Sequence, residues 1–300
     1  MSIFIGSGVA LCTPFTKEGK FNTSTYEKLV KFHVQEGTAA IVPCGTTGEP
    51  STLTTDEHIE IVKTAVESAK KYGSEYGRKM PVVAGAGGND TNACITMGKA
   101  LQQVGVDALM YVTPYYNKTS QRGLVAHYSA IAAAVDLPII VYNVPVRTAL
   151  NMQPKTLAEL AKIPNIAAVK EASSDISQIA EVVERCASDI DIYVGNDDQI
   201  LPVLALGGKG VITVLGNIAP AAVQGITDKF MSGDIEGSRN LQLGLLPLVR
   251  AIFADVNPMP VKAALRMMGF DMGACRMPLI DIEPELEARL KQELERQGLL

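Results

Sequence analysis

Short apolar segments alternate with longer amphipathic segments along the chain up to about residue 230. The apolar segments are continuously hydrophobic and rich in valine and isoleucine, which is typical of parallel strands covered on both faces. They lie at residues 8–15, 39–45, 81–87, 108–114, 138–145, 166–172, 191–197 and 210–217. Apolar residues at helical spacing predict helices between them, at 24–36, 54–72, 90–104, 120–135, 155–162, 175–187 and 198–206.

Strands that alternate with helices in this way predict an α/β protein of the (β/α)8 class, a TIM barrel. A doubly wound sheet is the structural alternative. That fold usually places a glycine-rich turn after its first strand, whereas Gly-Ser-Gly at 6–8 precedes the first predicted strand here. After about residue 230 the pattern is helical only, at 234–254, 259–269 and 283–297. We therefore predict a barrel domain over 1–230 and a small C-terminal α-helical domain over 231–300.

Composition excludes several classes of function. The chain carries 27 basic and 32 acidic residues, a net charge of −5, and no basic stripe, so neither nucleic acid nor an anionic membrane is an expected partner. No apolar run reaches the roughly 20 residues that a membrane helix needs. The N-terminus lacks a basic region and is interpreted as a strand, not a signal peptide. Five cysteines without CxxC spacing predict reduced thiols in a cytoplasmic protein, and three scattered histidines predict no metal site.

Polar motifs follow five of the predicted strands. In a barrel of this class the segments after the strands meet at one face, where active sites lie. The motifs are GTTGEP at 45–50, TPYYN at 113–117, VYNVPVRT at 141–148, the lysine at 170 and GNDD at 195–198. The glycine-rich GGKG at 207–210 precedes a strand and belongs to the opposite face, and Asp197 and Asp198 would repel phosphate. A phosphate-handling isomerase is therefore not expected.

Lys170 ends the apolar segment NIAAVK, and Glu171 follows it. One interpretation is a surface lysine paired with Glu171. The other is an amine at the mouth of the barrel, where desolvation disfavours the ammonium form. A neutral amine can attack a carbonyl carbon and form a Schiff base. Tyr142 on the adjacent strand is a plausible proton shuttle, which Thr46 and a tyrosine of the 115–116 pair would continue.

Two further groups suit carboxylates. Arg147 offers a planar fork of donors, and GTTGE offers backbone amides and hydroxyls, although the motif also fits a threonine-capped turn. Each candidate has an ordinary structural interpretation by itself: Tyr142 as core, the tyrosine pair as interface anchors, and Arg147 as a surface ion-pair member. Their placement on one barrel face favours the functional interpretation.

The motifs GTTGE, TPYYN, YNVPxRT and VKEAS, in this order and at these separations, resemble the dihydrodipicolinate synthase (4-hydroxy-tetrahydrodipicolinate synthase) family over the whole chain. The wider superfamily of pyruvate-dependent lyases and class I aldolases shares the lysine and the strand-5 tyrosine. The threonine pair and the arginine favour the synthase, because an N-acetylneuraminate lyase would be expected to show a serine–threonine pair and no arginine. One departure is Val146 and Ala149, where the family often has serine and glycine.

The resemblance implies that pyruvate condenses with L-aspartate-4-semialdehyde on the path to lysine and diaminopimelate. It implies no cofactor apart from the covalent imine of Lys170 with pyruvate. Tyr142, Thr46 and Tyr116 would relay protons, with Tyr116 donated across the tight dimer of a homotetramer.

The resemblance also assigns the binding groups. Thr47 and its loop amides would hold the pyruvate carboxylate, and Arg147 would bind the semialdehyde carboxylate. Gly195 and Ile212 would line the pocket.

An effector site is implied by lysine-inhibited members of the family. Four residues fit it: Ser51, His58, Asn89 and Tyr115. Thr55 and Ala93 depart from it, because sensitive enzymes often have a histidine and a glutamate there. Asp90 is close in sequence but is expected to cap its own helix. We therefore expect L-lysine to inhibit this protein little.

Two alternative functions stay open on the sequence. One is another pyruvate-dependent aldolase, such as a 2-keto-3-deoxygluconate aldolase or an N-acetylneuraminate lyase. The other is a non-catalytic barrel that binds a 2-oxo acid. The intact lysine and tyrosine argue against the second, because a binding protein needs neither.

Overall fold

The structure is a computed structural model that describes residues 2–300. Eight parallel strands form one sheet in the order β2-β1-β8-β7-β6-β5-β4-β3. The strands are β1 (Gly6–Ala10), β2 (Ala40–Val42), β3 (Val83–Gly85), β4 (Ala108–Val112), β5 (Ile139–Asn143), β6 (Ile166–Glu171), β7 (Asp191–Val194) and β8 (Gly210–Thr213). With helices between successive strands, this is the predicted (β/α)8 barrel.

The sheet closes between β2 and β3. A parallel bridge joins Ile41 to Val82. The amide of Ile41 donates to the Pro81 carbonyl at 2.9 Å, and the amide of Gly85 donates to the Pro43 carbonyl at 2.9 Å. Because these bonds continue the ladder around the ring, all the strands share one interior and one exterior.

In the described residues 2–300, helices surround the barrel, and further helices follow the barrel in the chain. They are α1 (Thr23–Gln35), α2 (Thr55–Glu75), α3 (Thr91–Val104), α4 (Gln121–Ala132), α5 (Pro145–Thr148), α6 (Pro154–Leu160), α7 (Ile176–Cys186), α8 (Ile200–Ala205), α9 (Pro220–Met231), α10 (Ile235–Ile252), α11 (Met259–Met267) and α12 (Pro284–Arg296). Every predicted helix is present, with ends displaced by up to a few residues.

Three expectations about the elements are corrected. Helices α5 and α9 were not predicted; both begin with a proline, which is favoured at the first helical position and was a usable signal. The strands are shorter than the apolar runs, because every run continues past the carboxyl end of its strand. Gly6, Ser7 and Gly8 lie within β1 and pair with β8, so the motif does not precede the first strand.

The barrel interior is filled by one cluster of side chains from alternate strand positions. Phe4 closes the amino-terminal end: its ring stacks on Tyr193 with centroids 4.3 Å apart, and the Tyr193 hydroxyl donates to the Phe4 carbonyl at 2.7 Å. The cluster contains both small and large residues and consists of Phe4, Ala10, Ala40, Val42, Val83, Ala108, Met110, Ile140, Tyr142, Val144, Ala168, Ala172, Tyr193 and Ile212. The interior is therefore packed, and any opening is at the carboxyl end.

The C-terminal helices pack on the barrel rather than apart from it. Leu248 of α10, Leu265 of α11 and Leu294 of α12 belong to the same continuous apolar cluster as the side chains between the strands and the barrel helices. The chain turns between Met231 of α9 and Ile235 of α10, close to the predicted boundary. The division into domains 1–230 and 231–300 stays a prediction.

No helix in the described part of the chain has the length and hydrophobicity that crossing a membrane requires. Likewise, residues 2–300 contain no cluster of three or more His, Cys, Asp or Glu side chains arranged to hold a metal ion.

The close packing where the barrel closes predicts that Gly85 cannot be replaced by a larger residue without loss of stability. A β-carbon at this position would collide with the Cys44 carbonyl on β2's side of the closure. We expect Gly85→Ala to separate β2 from β3 and to lower the free energy of unfolding by about 1–3 kcal/mol, measured by urea denaturation. Gly244→Ala is the matched control, because a β-carbon there meets nothing within 4 Å in the middle of α10; it should be neutral or slightly stabilising. Equal stability of Gly85→Ala and the unmodified protein would contradict the packing at the closure.

Candidate active site

Lys170 points into the barrel. Ala168 and Ala172, two residues on either side of it, belong to the interior cluster, so the alternation along β6 directs Lys170 to the same face. The side chain is 5% exposed. Tyr142 is its register partner on β5, and the Lys170 Nζ lies 4.2 Å from the centroid of the Tyr142 ring. The predicted lysine–tyrosine pair is therefore in contact at the carboxyl end of the interior.

The alternative interpretation of Lys170 as a surface lysine paired with Glu171 is wrong. Glu171 points to the opposite face of β6 and is itself buried. Both of its carboxylate oxygens accept from the Asn143 Nδ2 at 3.1 Å, and one accepts from the Ser173 amide at 2.9 Å. Burial raises the pKa of Glu171, and these hydrogen bonds oppose the rise. Glu171 thus ties β6 to β5 outside the barrel and leaves Lys170 without a carboxylate partner from its neighbour.

Gly195 gives Lys170 its space. A β-carbon at this position would lie 2.6 Å from the Ala172 Cβ and 3.0 Å from the Lys170 Cε. Any side chain here would displace the lysine stem. Ile212 is completely buried in the interior cluster. Gly195 therefore lies against Lys170, whereas Ile212 contributes to the interior packing.

The GTTGE motif folds into a tight 3-10 turn over Thr46–Gly48. The amides of Gly48 and Glu49 donate to the carbonyls of Gly45 and Thr46 within the turn, at 2.8 and 3.2 Å. Of the expected nest of amides, those of Gly45, Thr46 and Thr47 make no hydrogen bond within the turn. The motif is a turn, but no threonine side chain caps it, and its role in binding a carboxylate stays a prediction.

Asn257 connects the two predicted carboxylate-binding residues, and the sequence analysis missed it. Its Nδ2 donates to the Thr47 Oγ1 at 3.0 Å, and its carbonyl accepts from the Arg147 Nη2 at 3.3 Å. Asn257 belongs to the NPMP segment before α11, which looked only like a break between helices. An asparagine ahead of a proline was the only signal, and it is common in ordinary turns.

Arg147 lies on the short helix α5 and is exposed. Ala149 ends this helix with φ 52° and ψ 27°, in the left-handed region. This is the position where the family often has glycine, and glycine adopts that conformation without strain. In this chain the alanine adopts that conformation, and Arg147 lies in the short helix that it ends.

A cavity of about 480 Å³ opens beside the carboxyl end of the barrel. Five of the predicted residues line it: Thr46, Arg147, Ser51, His58 and Tyr115. Lys170 and Tyr142 do not line it, because they lie in the barrel wall. Arg147 and the turn residue Thr46 thus line an open cavity, whereas Thr47, Gly195 and Ile212 do not, and Lys170 lies within the wall of the barrel.

Tyr116 does not join the site of its own chain. It is 92% exposed and has φ 69°, so its backbone turns the side chain away from the body of the protein. Tyr115, which is 37% exposed, lines the cavity.

The effector residues are only partly gathered. Ser51, His58 and Tyr115 line the large cavity, as does Ala93, whereas Asn89 lines a separate cavity of about 330 Å³. The His58 Nε2 lies 2.8 Å from the Gly85 carbonyl, which can only accept, so Nε2 is the donor in this contact. Burial lowers the pKa of His58.

Two acidic residues behave differently from each other. Asp90 caps α3 by accepting from the amides of Asn92 and Ala93, at 2.8 and 3.3 Å, as predicted. The expectation that Asp197 and Asp198 repel phosphate stays a prediction, but Asp197 is not an exposed charge. It is buried, and its Oδ2 accepts from the amides of Val214 and Leu215 at 3.0 and 2.9 Å. Burial raises the pKa of Asp197, and this effect is larger than the opposing effect of the hydrogen bonds, which lower the pKa.

Comparisons with known proteins agree with this geometry. The model of the dihydrodipicolinate synthetase family matches residues 3–297. A 4-hydroxy-tetrahydrodipicolinate synthase of Caldicellulosiruptor bescii is 50% identical over 299 residues, covering 100% of this chain and 99% of that protein. The solved dihydrodipicolinate synthase of Aquifex aeolicus has a TM-score of 0.94 at 39% identity and covers 99% of each chain. That of Cyanidioschyzon merolae, solved with lysine bound, has a TM-score of 0.95 at 37% identity and covers 100% of each chain.

Proposed function

We propose that this chain, which belongs to the dihydrodipicolinate synthetase family, condenses pyruvate with L-aspartate-4-semialdehyde through an imine on Lys170. Its function is that of a 4-hydroxy-tetrahydrodipicolinate synthase, a lyase of lysine and diaminopimelate biosynthesis. The observation that carries the mechanism is the buried Lys170 amine in contact with the Tyr142 ring, at the open end of the barrel. The other pyruvate-dependent aldolases and the non-catalytic barrel are not favoured.

The chemistry needs an amine and a route for protons. The Lys170 nitrogen attacks the keto carbon of pyruvate, and loss of water gives the imine. Removal of a proton from the methyl carbon gives an enamine, and this carbon then bonds to the aldehyde carbon of the second substrate. The aldehyde oxygen takes up a proton as the new bond forms. The amino group of the bound semialdehyde then attacks the imine carbon, so that ring closure breaks the bond to the Lys170 nitrogen and frees the amine. No cofactor enters these steps.

Tyr142 is the proposed proton shuttle, because its ring touches the Lys170 amine. Thr46 lies in the turn that lines the cavity and is proposed to extend the relay toward bulk solvent. Tyr116 is proposed as the third member, reaching the site from a second subunit.

Thr47 and Arg147 are proposed to hold the two substrate carboxylates, pyruvate at Thr47 and the semialdehyde at Arg147. Asn257 bonds both side chains, so the two subsites have a fixed separation. Gly195 and Ile212 shape the wall next to the imine. This arrangement would hold the aldehyde carbon near the enamine carbon, which is the main requirement for joining two bound molecules.

We propose a homotetramer made of two tight dimers. The support is the exposure of two side chains: Tyr116, of the aromatic pair after β4, is 92% exposed, and Val146, on α5, is 88% exposed. Such exposure is unusual for a large apolar side chain and suits the core of an interface. We also place the enzyme in the cytoplasm, which fits its five unpaired cysteines, four of them buried.

Trapping the imine tests the proposed mechanism. We expect pyruvate and borohydride to leave a reduced pyruvyl adduct on Lys170, found by mass spectrometry of peptides, and Lys170→Ala to lose both adduct and turnover. Arg147→Ala is the matched control, because it should label normally while the KM for the semialdehyde rises. A label on another lysine, or turnover by Lys170→Ala, would rule the imine out.

Mixing variants tests whether Tyr116 acts across subunits. Tyr142→Phe and Tyr116→Phe should each lose about 10²–10⁴-fold in kcat, because each removes only a hydroxyl of the relay. Dissociating and reassembling Lys170→Ala with Tyr116→Phe should restore activity, to at most about a quarter of the unmodified level, because half of the dimers are mixed and have one intact site.

The control mixture is Lys170→Ala with Tyr142→Phe, which should stay inactive because both residues belong to the same site. Equal activity in the two mixtures would contradict a site shared between subunits.

We propose weak inhibition by L-lysine. Ala93 supplies no carboxylate for the ammonium group of an effector, Asp90 is committed to its helix cap, and both oxygens of Glu49 are bonded elsewhere. A hydrogen bond to a charged group contributes about 1.5–3 kcal/mol, so its loss weakens binding about ten-fold to over a hundred-fold. A lysine titration at saturating pyruvate should show little inhibition at millimolar concentration, and Ala93→Glu should increase it. Strong inhibition of the unmodified enzyme below millimolar lysine would overturn this.

A further inference from the structure

A fully buried ion pair joins the C-terminal helices to the GTTGE turn. The Lys262 Nζ lies 2.8 Å from the Glu49 Oε1, and the two side chains are 0% and 1% exposed. Every other ion pair in the described part of the chain has at least one partly exposed member. In an ion pair that is buried away from water, each charged group needs hydrogen-bond partners within the protein, and both Lys262 and Glu49 have them.

Each charged atom of the pair is matched. The second carboxylate oxygen of Glu49 accepts from the Arg276 amide at 2.9 Å. The Lys262 Nζ also donates to the Ala274 carbonyl at 3.1 Å and lies 4.6 Å from the centroid of the Phe15 ring. Both oxygens of Glu49 are therefore bonded to the segment that begins with α11 and continues beyond it.

The pair acts on the turn that carries Thr46 and Thr47. Glu49 is the residue that ends this turn, with φ 57° in the left-handed region, a conformation that a non-glycine residue holds only when its surroundings fix it. Asn257, just before α11, bonds the Thr47 hydroxyl at 3.0 Å. The segment around α11 thus holds the turn at Thr47 and again at Glu49.

We propose that Glu49 and Lys262 are positioning residues for the pyruvate carboxylate: their ion pair fixes the Thr46–Thr47 turn, so that the C-terminal helices set the geometry of that subsite. This rests on the proposed function. A buried ion pair often adds little net stability compared with apolar residues of similar volume, whereas removal of one partner is strongly destabilising. Stability and positioning can therefore be separated by comparing a single with a double variant.

The experiment compares Lys262→Met with the double variant Glu49→Gln/Lys262→Met. Each is measured by its melting temperature, by its KM for each substrate, and by the pyruvate concentration that gives half-maximal borohydride labelling of Lys170. The single variant should melt lower and need about ten-fold or more pyruvate, as expected when a charge-assisted bond is lost. The double variant should regain most of the melting temperature but keep the raised pyruvate requirement, with the semialdehyde KM unchanged.

Glu57→Gln is the matched control. Glu57 accepts from the Arg276 guanidinium on the same C-terminal segment but lies on α2, outside the turn. It should lower the melting temperature without changing the pyruvate requirement. If the double variant needs no more pyruvate than the unmodified enzyme, the proposal is overturned. This result decides the question even if Lys262→Met alone does not fold. If the unmodified enzyme does not label at all, the imine is wrong, and the KM for pyruvate then decides the positioning role independently.

Discussion

The two-residue alternation along a parallel strand, inside a closed barrel, is the constraint on which the site depends. It gives consecutive residues of β6 opposite surroundings: Lys170 faces the packed interior and Glu171 faces the helices. Because β5 and β6 run in register, the same constraint brings Tyr142 against the lysine. Gly195 on the other side leaves the space that the lysine stem occupies. The amine is therefore held by the geometry of the sheet itself.

Acidic groups near the mouth of the barrel are bonded by groups other than Lys170. Glu171 accepts from Asn143 and Ser173, and Asp197 accepts from the amides that follow β8. Glu49 is bonded by Lys262 and the Arg276 amide. Each of these three carboxylates is therefore held by partners of its own, and none of them forms an ion pair with Lys170.

The C-terminal helices contribute to the site as well as to the core. Asn257 links Thr47 to Arg147, and Lys262 holds the end of the same turn. The barrel by itself supplies the nucleophile and its tyrosine, whereas the separation of the carboxylate-binding groups depends on a segment more than a hundred residues away in sequence. Loops that position ligands often need such a second layer of contacts, because their own backbone is weakly constrained.

The sequence by itself determined the barrel and the Lys170–Tyr142 pair, because periodicity is a local property and strand order in a barrel follows chain order. It also determined the helix cap at Asp90, which depends only on the next three residues. Tertiary structure decided the rest. The burial of Asp197, the outward direction of Tyr116 and the separation of Asn89 from the large cavity each depend on how loops fold back. The contacts of Asn257 and Lys262 join residues far apart in the chain, and no spacing in a single sequence records such contacts.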